Sequence, residues 1–273
     1  MTAPILVTGG TGTLGRPLVA RLRAAGRPVR VLSRRPPAAD SGVEFVTGDL
    51  ATGAGVGAAV AGAGIIVHCA GSPRGDEQKT GNLVRAATQA GRPQLVLVSV
   101  VGADRVPMTS RLDRAMFGYY GSKLATERIV ADSGLPFTTL RATQFHDLIL
   151  TMSRQLSRLP VLPALAGFRF QPVDADEVAA RLAELALLPP AGLVPEMGGP
   201  RTYSMADLLR GYLRAAGLRR AVVPTPLPGA VARAFRAGAN LAPGPALGRR
   251  TWEDFLADVV GSGPAGYSRP VHR

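Results

Sequence analysis

Cysteine and lysine are almost missing from this chain of 273 residues. One cysteine, Cys69, excludes an intramolecular disulfide framework and suits a reducing compartment. It falls within the apolar run from Ile65 to Ala70, where a buried structural thiol is expected. Only two of the 32 basic residues are lysine, Lys79 and Lys123; the rest are arginine. Aromatic residues make up 5%, and they are not interleaved with basic ones as base stacking requires. There is no continuous basic block and no zinc-ligand spacing, so neither nucleic acid nor a metal is expected. The net charge of +13 then reads as a solvated basic surface that also attracts an anionic cofactor or substrate. No apolar stretch is long enough to span a bilayer, and the first strand begins at once. No membrane partner is therefore expected, and the location expected is cytoplasmic. An apolar fraction of 46% excludes disorder.

Glycine is what the chain has in quantity, 33 residues, and seven places near the N-terminus carry the most information. The run Pro4-Ile5-Leu6-Val7-Thr8 leads directly into Gly9-Gly10-Thr11-Gly12-Thr13-Leu14-Gly15, and a helical pattern follows from Arg16 to Ala25. Strand, glycine turn and helix start in that order make a site for a dinucleotide pyrophosphate. Gly9 permits the tight turn, Gly12 lets backbone approach the phosphates, and Gly15 lets the helix pack against the strand.

Five further apolar runs alternate with helical patterns: Pro28–Leu32, Val43–Val46, Ile65–Cys69, Gln94–Ser99 and Phe137–Arg141. Helices are expected from about Gly53 to Ala61, Asp76 to Ala90 and Met116 to Ala131. That alternation predicts an α/β, Rossmann-type, doubly wound parallel sheet. Residues 1–145 are expected to form the dinucleotide-binding core. Residues 146–273 are expected to form a small C-terminal α/β substrate lobe interleaved with it as one structural unit. There, helices are expected over Leu148–Leu159, Asp176–Leu188, Met205–Ala216, after Pro228 and over Thr251–Val260. Phe168–Val173 reads as extended and Ala221–Val223 as a short strand, while Gly261–Arg273 is expected to fray.

Where NAD sites place a ribose-binding acid, after the second strand, this chain has Ser33-Arg34-Arg35. A guanidinium fork grips a 2′-phosphate that a carboxylate would repel, so NADP(H) is the expected cofactor. Arg16 is a second candidate phosphate contact. Asp49 is placed either to meet the adenine amino group or to form a Gly-Asp turn before Leu50. Tyr119 and Lys123, four apart, share one helix face. A nearby ammonium is expected to lower the phenol pKa, making Tyr119 a workable proton donor.

These residues together resemble the short-chain dehydrogenase/reductase superfamily, and in particular its atypical, NmrA-like branch. The resemblance rests on Thr8–Gly15, Ser33-Arg34-Arg35, Gly48-Asp49-Leu50, His68–Gly71, Val98–Gly102, Tyr119–Lys123, Ser133–Ala142 and Pro172–Ala179. It implies that Gly9, Thr11, Gly12, Thr13, Leu14 and Gly15 hold the pyrophosphate, and that Ser33, Arg34 and Arg35 hold the 2′-phosphate end. Asp49 and Leu50 would flank adenine, with Ala70, Gly71 and Ser99 lining ribose and nicotinamide. Lys123 would bind the nicotinamide ribose, with Tyr119 as the acid. One position departs from the pattern: Ser99 is followed by Val100-Val101-Gly102, where family enzymes usually place the third catalytic hydroxyl. Ser99 itself, Ser110 or Thr109 are the alternatives. Met108, Phe117, Gln144 and His146 are candidate substrate contacts, His146 either as a proton or carbonyl partner or as a structural histidine. The function implied is NADPH-dependent reduction of a carbonyl, quinone or enone on a small, partly apolar molecule. A non-catalytic NADP(H) sensor acting through a protein partner is the rival, and a monomer or homodimer is expected.

Overall fold

A computed structural model describes residues 2–35, 42–71 and 75–260. Its centre is a seven-stranded sheet, parallel at every pairing. The strands are β1 (Ile5–Thr8), β2 (Val29–Ser33), β3 (Glu44–Thr47), β4 (Ile65–His68), β5 (Gln94–Val100), β6 (Phe137–Ala142) and β9 (Gly192–Leu193). They lie in the order β3-β2-β1-β4-β5-β6-β9. The order reverses between β1 and β4, and the crevice beyond the carboxyl ends of those two strands is where this architecture binds its ligand.

The strands are apolar throughout because both faces are covered. Ile5, Val7, Val31 and Val67 pack against α1 (Gly15–Ala24) and α6 (Ala175–Leu187), through Leu18, Leu22, Val178 and Leu182. Leu6, Leu32, Ile66, Leu95 and Leu97 face the other way, onto α2 (Val56–Val60), α3 (Asp76–Gln89) and α4 (Arg111–Ala131), through Val56, Leu83 and Val130. Side chains alternate along each strand, so one continuous apolar run feeds two cores.

Two features of the core differ from expectation. Helix α4 starts five residues earlier, at Arg111, because Ser110 and Asp113 form a reciprocal capping box. The seventh strand, β9, is only two residues long and follows a proline-rich break, so it has no apolar run to announce it.

The remaining elements pack beside the sheet. Strands β7 (Val161–Leu165) and β11 (Ala221–Thr225) pair in parallel, while β8 (Arg169–Phe170) and β10 (Tyr203–Ser204) pair antiparallel. Helices α5 (His146–Leu156), α7 (Met205–Ala215), α8 (Ala230–Arg236) and α9 (Trp252–Val260) enclose them. Thr251 and Asp254 bond reciprocally and cap the start of α9, where a helix is expected. Helix α6 and β9 return to the main sheet, so the lobe is drawn from the segments on either side of them. The expectation for residues 261–273 lies outside the described residues.

Candidate active site

The glycine loop is built by close approach. Gly9 has φ +71°, a left-handed conformation that glycine adopts without strain, and a Cβ there would lie 2.7 Å from the Ala70 nitrogen. A Cβ on Gly15 would lie 2.1 Å from the Gly9 carbonyl oxygen. At Gly12 the nearest atom is that same oxygen, at 3.2 Å, and among the described residues no other heavy atom beyond its chain neighbours comes within 4 Å. The Gly12 amide donates to Gly9 (3.0 Å), and α1 begins with no side-chain cap and no acid in its first turn. Thr11, Gly12 and Thr13 are exposed, Leu14 is buried beneath them, and the helix end is left to an anion. These residues fit a dinucleotide pyrophosphate. Arg16 bonds the Thr11 carbonyl (2.9 Å), which commits its Nε to bracing the loop.

At the end of β2, Arg34 and Arg35 are exposed, and the Arg35 amide donates to the Ser33 hydroxyl (3.3 Å). Among the described residues no acid stands at this strand end. Asp49 spends Oδ1 on the Ala51 amide (2.9 Å), the turn role considered for it. Leu50 is buried, and Asn82 of α3 donates to the Leu50 carbonyl (2.8 Å), fixing this loop against the helix.

Beyond β4 and β5 the reacting end takes shape. Lys123 lies with its Nζ 5.7 Å from the centre of the Tyr119 ring, so the two share a face of α4. That Nζ is also 3.4 Å from Asp76 Oδ2, and the two side chains are 5% and 2% exposed as residues. The Lys79 ammonium stands 3.7 Å from the other Asp76 oxygen. A Cβ on Gly71 would lie 3.3 Å from Lys123 Nζ, so backbone at the end of β4 rests on this ion pair. Below it, His68 bridges the hydroxyls of Thr8 (2.6 Å) and Thr80 (3.1 Å), tying β1, β4 and α3 together. Burial, helped by the Lys123 charge, pushes His68 down to about 3, so the ring is neutral. Cys69 is half-buried, and loss of hydration pushes its thiol up to about 12, leaving it unreactive.

The expectation that Lys123 lowers the Tyr119 phenol pKa is corrected here. Loss of hydration, and then the Asp76 carboxylate, push that phenol up to about 12. Water reaches the residue, which is 39% exposed, and screens part of the shift without changing its sign. Asp76 offsets the lysine charge that would have acted on the phenol.

Other expected residues fall in different places. Ser99 is buried in β5, and its hydroxyl has no hydrogen-bond partner among the described residues. The Ser110 hydroxyl accepts from the Asp113 amide (3.0 Å) and Thr109 donates to Asp113 (2.9 Å), so both alternatives are committed to the α4 cap. Gln144 is buried and donates to the Tyr120 hydroxyl (3.1 Å). Met108 and Phe117 are part-buried beside Tyr120, Phe168 and Phe235, with the Phe117 and Phe235 rings 5.2 Å apart. His146 is not brought to the crevice. It is fully buried, stacked on Trp252 (5.8 Å) and Phe255 (5.0 Å), with Nε2 3.2 Å from the Arg250 carbonyl. The aromatic lobe core claims it, which is the structural alternative. Two residues were missed. Asp76 has a signal in the sequence, an acid opening the helix after β4. Ser122, whose buried hydroxyl lacks a partner among the described residues, has none.

Residues 9–185 match the NAD(P)H-binding family. The chain belongs to that family. A ceramide reductase of Caulobacter vibrioides is 31% identical over 244 residues, spanning 82% of this chain and 74% of that protein. A Streptomyces griseus (4-alkanoyl-5-oxo-2,5-dihydrofuran-3-yl)methyl phosphate reductase is 31% identical over 64% of this chain. The chain spans 60% of that reductase, and only 20% of an uncharacterized Mycobacterium tuberculosis protein to which it is 32% identical. In fold it is similar to an NADPH-dependent quinone oxidoreductase of Escherichia coli (TM-score 0.69, 19% identity, 93% of this chain and 98% of that one). The chain thus belongs to a family that binds NAD(P)H and has reductases among its relatives. No helix among the described residues is long and apolar enough to cross a membrane.

Proposed function

We propose that the protein is an NADPH-dependent reductase of a carbonyl, quinone or enone carried on a small, partly apolar molecule. The observation that carries this reading is the placement of Tyr119 and Lys123 on one face of α4, with Lys123 held under Gly71 by Asp76. Bound NADPH supplies the hydride. Gly9, Thr11, Gly12, Thr13, Leu14 and Gly15 hold the pyrophosphate, and Arg34, with Ser33 and Arg35, holds the 2′-phosphate. Asp49 and Leu50 flank adenine. Ala70, Gly71 and Ser99 line the ribose and nicotinamide, and Lys123 hydrogen-bonds the ribose. Tyr119 donates the proton that completes the reduction. Its raised pKa keeps the phenol protonated throughout the neutral range, which suits an acid rather than a base. Met108 and Phe117 offer the apolar side of the substrate space.

The second reading, an NADP(H) sensor without turnover, is favoured by the commitment of Thr109 and Ser110 to the helix cap. One experiment separates the two. Purified protein is titrated with NADPH and NADH, then assayed on quinones, enones and ketones alongside Tyr119→Phe. Tight NADPH binding with turnover that collapses in the variant supports the reductase. Tight binding without turnover on any acceptor supports the sensor, and binding of neither nucleotide refutes both.

A further inference from the structure

We propose that the outer face of the β7/β11 pair and the arginine groove beside it dock the protein on an anionic lipid surface. Two stretches of this lobe, flanked by Asp147, Asp207 and Glu253, carry only positive charge. Residues 148–173 and 208–252 contain eleven arginines and no aspartate or glutamate. Four of those arginines, Arg210, Arg214, Arg219 and Arg220, line a groove of about 470 Å³ with Leu218 and Ala221. All four are exposed, and the one acid beside them, Asp207, is itself exposed and 3.6 Å from Arg210.

The groove runs into an apolar sheet face. Val161 pairs with Ala221 and Pro163 with Val223, and paired residues in a parallel ladder project to the same side. The opposite side, with Leu162 and Val222, packs on α7 through Leu209 and Leu213. Val161 and Val223 are therefore left 46% and 47% exposed. Arg158 precedes β7 and Arg219 and Arg220 precede β11, so the cations gather at the same end of both strands. Apolar side chains rimmed by arginine are the composition of an interfacial surface: the apolar groups enter the acyl boundary while guanidinium groups meet lipid phosphates.

Other occupants fit less well. Pro163 and Pro224 each remove a ladder donor from these two strands, which opposes strand addition by a second copy. No aromatic residue stands among the lining residues of the groove or on the strand face, so single-stranded nucleic acid has nothing to stack on.

The test is co-sedimentation of the full chain with phosphatidylcholine vesicles, with and without phosphatidylglycerol. Binding is expected only with phosphatidylglycerol, at about 0.05 M salt, with release at about 0.5 M, where charge screening reaches only a few ångströms. Each arginine near an anionic surface contributes about a fivefold factor, so Arg214→Gln/Arg219→Gln/Arg220→Gln weakens partition about a hundredfold. Val161→Ser/Val223→Ser weakens it about tenfold. Both variants are expected to retain the wild-type melting temperature and NADPH titration, since all five residues lie outside the glycine loop and on exposed positions. Absence of binding at low salt, equal binding to phosphatidylcholine alone, or full binding by the triple variant overturns the proposal. Tighter retention on duplex DNA than on phosphatidylglycerol vesicles overturns it too, and assigns the patch to nucleic acid.

Discussion

Gly12→Ala separates cofactor affinity from fold stability. The backbone at Gly12 is not in the left-handed region, so alanine meets no conformational penalty there. Its methyl would stand 3.2 Å from the Gly9 oxygen, a few tenths of an ångström inside ordinary contact. The rest of its surroundings is open, and that open space is where the proposed site seats the pyrophosphate. The fold should therefore lose no more than about 0.5 kcal/mol, the ordinary range for a surface substitution. The methyl would hold the anion off the backbone amides of the loop and α1. Losing two charge-assisted hydrogen bonds at about 1.5 kcal/mol each weakens NADPH roughly a hundredfold or more.

Two glycines serve as controls. At Gly15 the methyl would lie 2.1 Å from the Gly9 oxygen and 2.6 Å from Gly10 Cα, so backbone must move by about an ångström, costing about 1–3 kcal/mol. Gly81, inside α3 with no heavy atom of the described residues outside its own helix backbone within 4 Å of the added methyl, should accept alanine with a gain of about 0.5–1 kcal/mol. Thermal melts with and without NADPH, together with nicotinamide fluorescence titration, read both quantities. Gly12→Ala should melt like the wild type yet lose the shift on adding NADPH, whereas Gly15→Ala should melt lower in both conditions. If Gly12→Ala binds NADPH as the wild type does, the dinucleotide does not rest on this loop, and the reasoning from the glycine cradle is wrong.

Tyr119→Phe should lower kcat by about a hundredfold to ten-thousandfold in the reductase assay while leaving the NADPH titration unchanged; an unaltered kcat would remove Tyr119 from the chemistry. Arg34→Glu should cut the preference for NADPH over NADH by roughly ten- to a hundredfold, measured as the ratio of the two dissociation constants. Asp76→Asn should move the phenol titration of Tyr119 down from about 12, followed by ultraviolet difference spectra, because it removes the carboxylate that disfavours the phenolate. The same variant should be strongly destabilised, since it leaves Lys123 buried without its counter-charge. His68 has its pKa depressed from 6.5 to about 3 on folding, so its contribution is complete above pH 6.5 and falls by about 1.4 kcal/mol per pH unit between there and pH 3. His68→Gln should flatten that slope in denaturant titrations at successive pH values, and an unchanged slope would place the acid sensitivity elsewhere.

Much of the sheet was legible because its strands are buried on both faces, which leaves uninterrupted apolar runs at Ile5–Thr8, Ile65–His68 and Gln94–Val100. The glycine loop was legible for a related reason. Its residues answer to backbone geometry, and backbone geometry leaves a trace in residue type. What escaped were features made by long-range packing. Asp76 reads locally as a favourable acid at a helix N-terminus, and only the fold brings it to Lys123, 47 positions later. His146 follows a strand at the right place for a crevice residue. The stacking that removes it comes from Trp252 and Phe255, more than a hundred positions on. Strand β7 begins beside one proline and contains another, so its periodicity was hidden until β11 supplied its partner.

Asp76 changes how the Tyr119/Lys123 pair should be understood. An ammonium acting alone would pull the phenol towards neutrality and ready it as a base for alcohol oxidation. Here burial raises the phenol, and the ammonium that would oppose the rise lies against a buried carboxylate at 3.4 Å, so the phenol feels little net positive charge and the shift runs upward. In the proposed reductase Lys123 is left with the work that geometry gives it, its ammonium held beside Gly71 by Asp76 to meet the ribose hydroxyl. The pair therefore favours donation of a proton over its removal. An enzyme so arranged should run reduction at neutral pH and reach appreciable alcohol oxidation only as the pH climbs towards the raised phenol pKa. Loss of hydration sets most of that asymmetry and Asp76 adds to it, so the Asp76→Asn variant should narrow it without abolishing it.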